Sequence, residues 1–206
     1  MIAVEDDAQR DAALAAAAQL SASVGDAIGG EWPIRLRLIG PDDAEIPQGI
    51  VLVATIADRD GHTSIDDLAQ RWSVRVERYR AAGHHRVLLC GPVRQAGQAS
   101  AAPEDLERLR RLKHLVIAFS RQLGTEVVDG DRLLALCGLR RIAADARGGA
   151  TATAQLVGHA IVDAILDGDL GDCIEAGVQA RARDIHGGVR DIPRLMARRL
   201  VPGPQL

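Results

Sequence analysis

Carboxylates that follow two short apolar segments are the residues of this sequence best suited to chemistry. The candidate metal ligands are Asp6 and Asp7, after the first apolar segment, and Asp58, after the apolar run 50–55. Carboxylate oxygens from two such segments suit a hard divalent cation such as Mg²⁺. The alternative is that these carboxylates are solvated and lie near helix N-termini, where negative charge is favourable. The whole acidic set is Glu5, Asp6, Asp7, Asp58 and Asp60.

A histidine close to one of these acids adds a candidate for proton transfer. His62 lies four residues after Asp58, and imidazole and carboxylate are the usual general acid–base groups. Asp7, Asp58 and His62 are therefore the candidate catalytic residues. The alternative for the segment His62–Ser64 is a loop that ends in a helix cap. Cys90 follows another apolar run and is either a nucleophile or, since no base adjoins it in sequence, a buried unreactive thiol.

Two further groups carry weaker signals. His84 and His85 could bind a metal, but a histidine pair without a third ligand nearby is more typical of an exposed turn. Four arginines could line an anionic pocket, although arginine is mostly exposed; they are Arg94, Arg140, Arg141 and Arg147. Because the sequence has no Gly-rich dinucleotide motif, no phosphate-binding loop and no nucleophile elbow, we expect no cofactor.

Strand-like and helix-like segments alternate along the chain and must position these residues. The predicted strands are 2–4, 34–39, 50–55, 86–90 and 126–129, and the predicted helices are 8–28, 65–82, 103–123 and 151–166. This order predicts the α/β class, as a three-layer α/β/α sandwich with a parallel sheet of about five strands. Ligand sites in such folds lie beyond the carboxyl ends of the strands.

The apolar residues of the predicted helices indicate which faces are inward. In the Ala-rich first helix the larger apolar residues fall roughly on one face, and they are Leu14, Leu20, Val24 and Ile28. The third helix has a similar stripe, which runs from Leu106 through Val116 to Leu123. A weaker face near the C-terminus contains Ile174, Val178, Ile185 and Val189.

The C-terminal part of the chain differs in composition from the rest. We expect an α/β domain over residues 1–170 and an Arg-rich helical extension over residues 171–206. The extension contains Arg181, Arg183, Arg190, Arg194, Arg198 and Arg199. A basic amphipathic segment of this kind is either a helix docked on the domain or a surface for a protein partner or for self-association.

Composition and charge exclude several classes of function. Aromatic residues make up only 2% of the 206 residues, and the net charge is −3, so the chain has neither base-stacking platforms nor a basic field for nucleic acid. The three cysteines show no zinc-type spacing. No stretch is long and apolar enough for a membrane span, and the acidic N-terminal residues are unlike a signal peptide. These features predict a cytoplasmic protein.

Three passages resemble the SGNH (GDSL-type) hydrolase family over residues 2–166. They are GIVLVATIADRD with the following IDDLAQRWSVRVERYRAAGHHRVLLCGPV, then LRRLKHLVIAFSRQLGTEVVDGDRLL, and finally GGATATAQLVGHAIVDAIL. The resemblance implies an SGNH/flavodoxin-like sandwich with a Gly-Asp-Ser nucleophile motif, an oxyanion hole built from a glycine and an asparagine, and an Asp-x-x-His block before the last helix.

Most residues of that catalytic set are replaced in this sequence. Asp7 takes the place of the serine, and an ionised carboxylate cannot be activated by a base as a hydroxyl is. Gly40 matches the oxyanion-hole glycine, but the asparagine position is Ala57, which has no side-chain donor. The aspartate and histidine positions are Ala150 and Thr153, and His159 lies beyond the family's histidine.

The resemblance and these replacements predict an SGNH-like accessory or binding subunit that is non-catalytic or has noncanonical chemistry. One alternative is a divergent esterase or acyltransferase on the same fold, using Asp7, Asp58 and His62. A second alternative is a Mg²⁺-binding signalling domain, because IAVEDDAQRDAAL also resembles the start of a response-regulator receiver. Against the receiver, Cys90–Gly91 stands where its hydroxyl residue should be, and Lys113, the sole lysine, lies within a predicted helix.

Overall fold

Helices and strands alternate along the chain in the computed structural model. The structure describes residues 2–4, 10–34, 36–38, 50–54, 63–83, 86–91, 103–129, 149–168 and 174–187. The strands are β1 (Ile2–Val4), β2 (Leu36–Leu38), β3 (Ile50–Ala54), β4 (Val87–Cys90) and β5 (Glu126–Val128). The helices are α1 (Arg10–Ile28), α2 (Ile65–Ala81), α3 (Pro103–Leu123), α4 (Gly149–Asp167) and α5 (Ala176–His186).

The strands form one parallel sheet in the order β2-β1-β3-β4-β5. Val4 of β1 pairs with Leu52 of β3, and Ala54 of β3 pairs with Cys90 of β4. The chain places β2 on one side of β1 and the later strands on the other side. The strand order therefore reverses between β1 and β3, which is the position where open parallel sheets bind ligands.

The predicted fold class, a three-layer α/β/α sandwich based on a parallel sheet of about five strands, is wrong in its proportions. The described residues are mostly helical. The helices are 11 to 21 residues long, whereas the strands have only 3 to 5 residues. Because a three-residue strand presents one or two side chains to each face, it cannot cover a long helix. The larger core is instead formed mainly between helices, and the sheet is a small element at its side.

The larger core lies between α1, α4 and α5. Its α1 face consists mostly of alanines, and its α4 face contains Val157, Ile161 and Ile165. Strand residues such as Ile2 and Leu88 contact this core from the sheet. Between the two long helices, Gln19 Nε2 donates hydrogen bonds of 3.1 Å to the backbone and side-chain oxygens of Gln155.

A second core lies on α2 and α3 and on the other side chains of β4. Trp72 of α2 is fully buried and meets Phe119 of α3 edge to face, with 6.1 Å between the ring centroids. Val87 and Leu89 contact this core, while Leu88 between them belongs to the first, as expected for alternating side chains in a strand. The apolar residues that recur at helical spacing in α2 form its inward face: Leu68, Trp72, Val76 and Tyr79 are buried, and Ile65 and Ala69 are partly buried.

Three of the predicted helical faces need correction. In α1, Leu20 and Val24 are buried, but Leu14 and Ile28 are about half exposed, and small alanines are buried instead. The buried face of α1 is the one that contains Ala12 and Ala16, where Gly158 of α4 approaches the α1 backbone closely, and Leu14 and Ile28 lie off this face. Leu106 at the start of α3 and Ile185 near the end of α5 are also about half exposed.

The helix α5 brings part of the predicted C-terminal extension into the main core. Ile174, Val178 and Ala182 are buried against α1 and α4. Arg181 Nε donates to the carbonyl of Ala27, and Arg183 pairs with Asp167 at the end of α4. The described part of the extension is therefore a docked helix. The domain boundary between residues 170 and 171 stays a prediction.

Candidate functional site

The predicted catalytic and metal-binding residues follow the strands on either side of the order reversal. Asp6 and Asp7 follow β1, and Asp58 and His62 follow β3, whose carboxyl ends are neighbours in the sheet. All four residues lie outside the described residues. The same is true of the other two members of the acidic set, Glu5 and Asp60, and of Gly40 and Ala57, the predicted oxyanion-hole positions.

The two positions that match the family's aspartate and histidine lie inside a helix. α4 begins at Gly149, so Ala150 and Thr153 are in its first turns. Neither a methyl group nor a hydroxyl can act as a base that orients or deprotonates a nucleophile at neutral pH. The weaker candidates His84, His85, Arg94, Arg140, Arg141 and Arg147 lie outside the described residues.

Cys90 ends β4 at the carboxyl edge of the sheet. Its side chain belongs to the larger core and is 2% exposed, and the residue is not part of a disulfide. The backbone continues to Gly91, whose N–H donates to the carbonyl of Val128 at 3.1 Å. The structure therefore favours the buried thiol over the nucleophile, because a thiol surrounded by apolar side chains ionises poorly.

A buried polar cluster lies between α1, α4 and α5, and we call it the histidine stack. His159 of α4 and His186 of α5 are 5% and 8% exposed, and their rings stack with 3.8 Å between centroids and 25° between planes. His159 Nδ1 lies 3.3 Å from Gln19 Oε1, and His186 Nε2 lies 3.2 Å from the His159 carbonyl. Because both oxygens accept, each ring nitrogen donates, and neutral rings suffice for both bonds.

The electrostatics of the stack favour a neutral His186. Burial lowers the pKa of His186 to about 4 from 6.5; a positive charge on His159 acts in the same direction, while the hydrogen bond to the His159 carbonyl opposes both. His186 is therefore a poor general base at neutral pH, and its ring lies inside a helical interface. The reaction available to His186 at this position is the gain or loss of a proton, which changes the charge at the interface of α5 with α1 and α4.

Sequence reasoning missed the histidine stack for an identifiable reason. His159 and His186 are 27 residues apart and on different helices, so no local spacing connects them. The available signal was polar residues at core positions: Gln19 adjoins Leu20 in α1, and His159 adjoins Gly158 and Ala160 in α4. A polar side chain within an apolar helical face requires a buried partner.

An open groove of about 420 Å³ runs along α2 and is lined by Asp67, Gln70, Arg71, Val74 and Arg75. The described residues contain no group of three or more histidine, cysteine or carboxylate side chains that could hold a metal ion. Within the same ranges, no helix combines the length and the apolar composition required to cross a bilayer.

The chain matches no protein-family model, no curated protein and no solved structure. Known relatives therefore neither support nor contradict the resemblance to the SGNH hydrolases, which stays a prediction from the residues quoted above.

Proposed function

We propose that this chain is a binding protein, an accessory subunit that resembles SGNH hydrolases but does not perform their ester hydrolysis. The main observation in support of the proposal is which residues of α4 occupy the positions of the family's acid–base pair. The positions of the family's acid–base pair are Ala150 and Thr153 within this helix, while the nearby His159 is engaged in the buried stack. Acyl transfer through a serine-type nucleophile requires a base that can reach it.

The replacements at the other catalytic positions also argue against ester hydrolysis. Asp7 in place of the serine removes the hydroxyl, and Ala57 in place of the asparagine removes an oxyanion-hole donor. Loss of one such donor lowers the rate by about 10²–10³-fold. With the base also replaced, the remaining positions could bind a ligand but not form an acyl-enzyme.

The partner in this proposal is a protein, bound through the residues that follow α5. The two arginines of α5 make contacts within the chain: Arg181 donates to the carbonyl of Ala27, and Arg183 pairs with Asp167. Arginines beyond α5 are Arg190, Arg194, Arg198 and Arg199, and they supply a positive segment on a chain whose net charge is −3. Such a segment suits an acidic protein surface or a second copy of this chain. The compartment expected for this complex is the cytoplasm.

A truncation after Gly187 removes the proposed binding segment and keeps every described residue. The tagged full chain should co-purify with a stoichiometric partner or as a dimer, and the truncated chain should lose this association while retaining its circular dichroism spectrum. A truncation after Leu170 is unsuitable, because it would remove the buried Ile174, Val178 and Ala182. A monomeric, partner-free full chain at cellular concentration would overturn the proposal.

A screen with short-chain esters and thioesters tests the absence of hydrolysis. The expected result is the same rate for the wild-type chain, Asp7→Ala and His62→Ala, with His114→Ala on the exposed face of α3 as the matched control. Turnover that is lost in Asp7→Ala or His62→Ala but not in His114→Ala would establish the divergent esterase or acyltransferase instead. Mg²⁺ binding that Asp58→Asn abolishes would favour the receiver-like alternative.

A further inference from the structure

The histidine stack lies where α5 is attached to the rest of the molecule. α5 contacts α1 and α4, and its buried side chains are Val178, Ala182 and His186. Polar contacts add to this apolar attachment. Among the described ones, the hydrogen bond between His186 and the His159 carbonyl is buried, whereas those of Gln179 are partly buried and that of Arg181 is exposed.

A proton added to the stack would disturb it in two ways. The hydrogen bond to the His159 carbonyl uses one nitrogen of the neutral His186 ring, so a second proton on His186 would place a cation in a site that is 8% exposed. The two ring centroids are 3.8 Å apart, and two positive charges at this distance repel each other strongly where water is excluded. If α5 leaves, His186 becomes solvated and can carry its charge without this penalty.

Within the described residues, burial and His159 set the environment of His186, and no carboxylate contributes to it. From α1 the neighbour is the neutral amide of Gln19, and the charged residues of that helix, Arg10, Asp11 and Asp26, lie about two turns or more away along it. On α4 the nearest titratable group along the helix is the half-buried Asp163, one turn after His159. On α5, Arg183 adds positive charge one turn before His186 and pairs with Asp167, while Asp184 is exposed.

We propose that the histidine stack is an acid-sensitive latch: uptake of a proton by the stack releases α5 from α1 and α4 while the second core stays folded. The release breaks the bonds of Gln179 to the end of α4 and of Arg181 to Ala27. It also exposes the apolar faces of α1 and α4 that α5 covers. The latch is independent of the proposed partner binding, since its residues all precede residue 188.

Hydrogen exchange of the full chain between pH 7.5 and 5.0, with labelling times corrected for the intrinsic exchange rate, tests the latch. Because the pKa of His186 is lowered to about 4 from 6.5, its contribution to the stability of the α5 attachment is complete above about pH 6.5. This contribution is lost as the pH falls toward 4. The opening of residues 176–186 should therefore rise by about 10- to 30-fold between the two pH values. Protection of α2 and α3 should remain unchanged.

His186→Gln is the informative variant, because the glutamine amide can donate to the His159 carbonyl but cannot be protonated in this range. Its α5 exchange should be independent of pH, and His114→Gln, an exposed histidine on α3, should behave as the wild type. The proposal is overturned if wild-type α5 shows no change in opening, or if α2 and α3 open together with it. It is equally overturned if His186→Gln folds and keeps the wild-type response to acid.

Discussion

Gly158 of α4 lies directly against Ala15 of α1. A Cβ atom at position 158 would be 2.8 Å from the Cβ of Ala15 and 2.9 Å from the carbonyl oxygen of Ala12 and the amide nitrogen of Ala16. Two of these three atoms are backbone atoms, which cannot turn away as a flexible side chain can. The glycine and the alanines thus allow α1 and α4 to approach closely.

Gly158→Ala should destabilise the protein despite the higher helix propensity of alanine. The added methyl group would push the two helices apart, and overpacking of this kind costs about 1–3 kcal/mol. Urea unfolding followed by circular dichroism measures the loss. Gly177→Ala on α5 is the matched control, because a Cβ there meets no atom closer than the Arg181 guanidinium at 3.8 Å. That variant should be as stable as the wild type or more stable, and equal losses in both would contradict the close-approach explanation.

Some features of the fold were predictable from the sequence, and the packing of α1 against α4 shows why others were not. Periodic apolar residues predicted α2 correctly, since Trp72 and Val76 require a buried face. Apolar runs predicted β4 correctly, with Leu88 and Leu89 facing opposite cores. The inward face of α1 was predicted wrongly at Leu14, because hydrophobicity favours the largest side chain and carries no information about the distance to the neighbouring helix.

The candidate site was less predictable than the elements around it. The alternation of strands and helices predicted a site at the carboxyl ends of the strands, and the strand order in the structure narrows this position to the ends of β1 and β3. The stack of His159 on His186 depends on how α5 docks, and that is a tertiary property without a local sequence signal. The overestimate of the sheet has a similar origin, because apolar runs mark strands but do not reveal how few residues will pair.

Ser64→Ala should destabilise α2 by removing its N-cap. Ser64 Oγ accepts the N–H of Asp67 at 3.1 Å and donates to the Asp67 carboxylate at 2.7 Å. Loss of such a cap costs about 1 kcal/mol, which the shift in urea midpoint would show. Ser73→Ala, in the middle of the same helix, should be neutral or stabilising, since alanine is the best helix former. A larger loss in Ser73→Ala than in Ser64→Ala would refute the capping role.

Gln179→Ala should weaken the junction between α4 and α5. The Gln179 amide donates to the carbonyls of Leu166 at 2.8 Å and Gly168 at 2.6 Å, and helix-end carbonyls lack partners within their own helix. We expect a loss of about 1–2 kcal/mol in the free energy of unfolding. Gln179→Glu has a similar size but no donor, so it should be at least as destabilising. Gln122→Ala on the exposed face of α3 should have little effect, and a glutamate variant as stable as the wild type would exclude the proposed bonds.

Glu126→Gln should stabilise the protein at neutral pH but not near pH 4. Burial raises the pKa of Glu126 above its usual 4.5, and the positive charge of Arg86 only partly offsets this. A raised carboxyl pKa means that the folded state holds its proton more tightly than the unfolded state, so this group favours folding at low pH. Its contribution is lost as the pH rises through the folded pKa.

Glutamine mimics the protonated carboxyl at every pH, and for this reason the stability difference between Glu126→Gln and the wild type should grow from pH 4 to pH 7. Urea unfolding across this range measures the difference. Glu107→Gln is the control, because Glu107 is exposed on α3 and pairs with Arg110 at 3.1 Å. Its substitution should give no gain at pH 7. A stability difference for Glu126→Gln that shrinks as the pH rises would show that the attraction of the Arg86 charge outweighs the burial of the carboxylate.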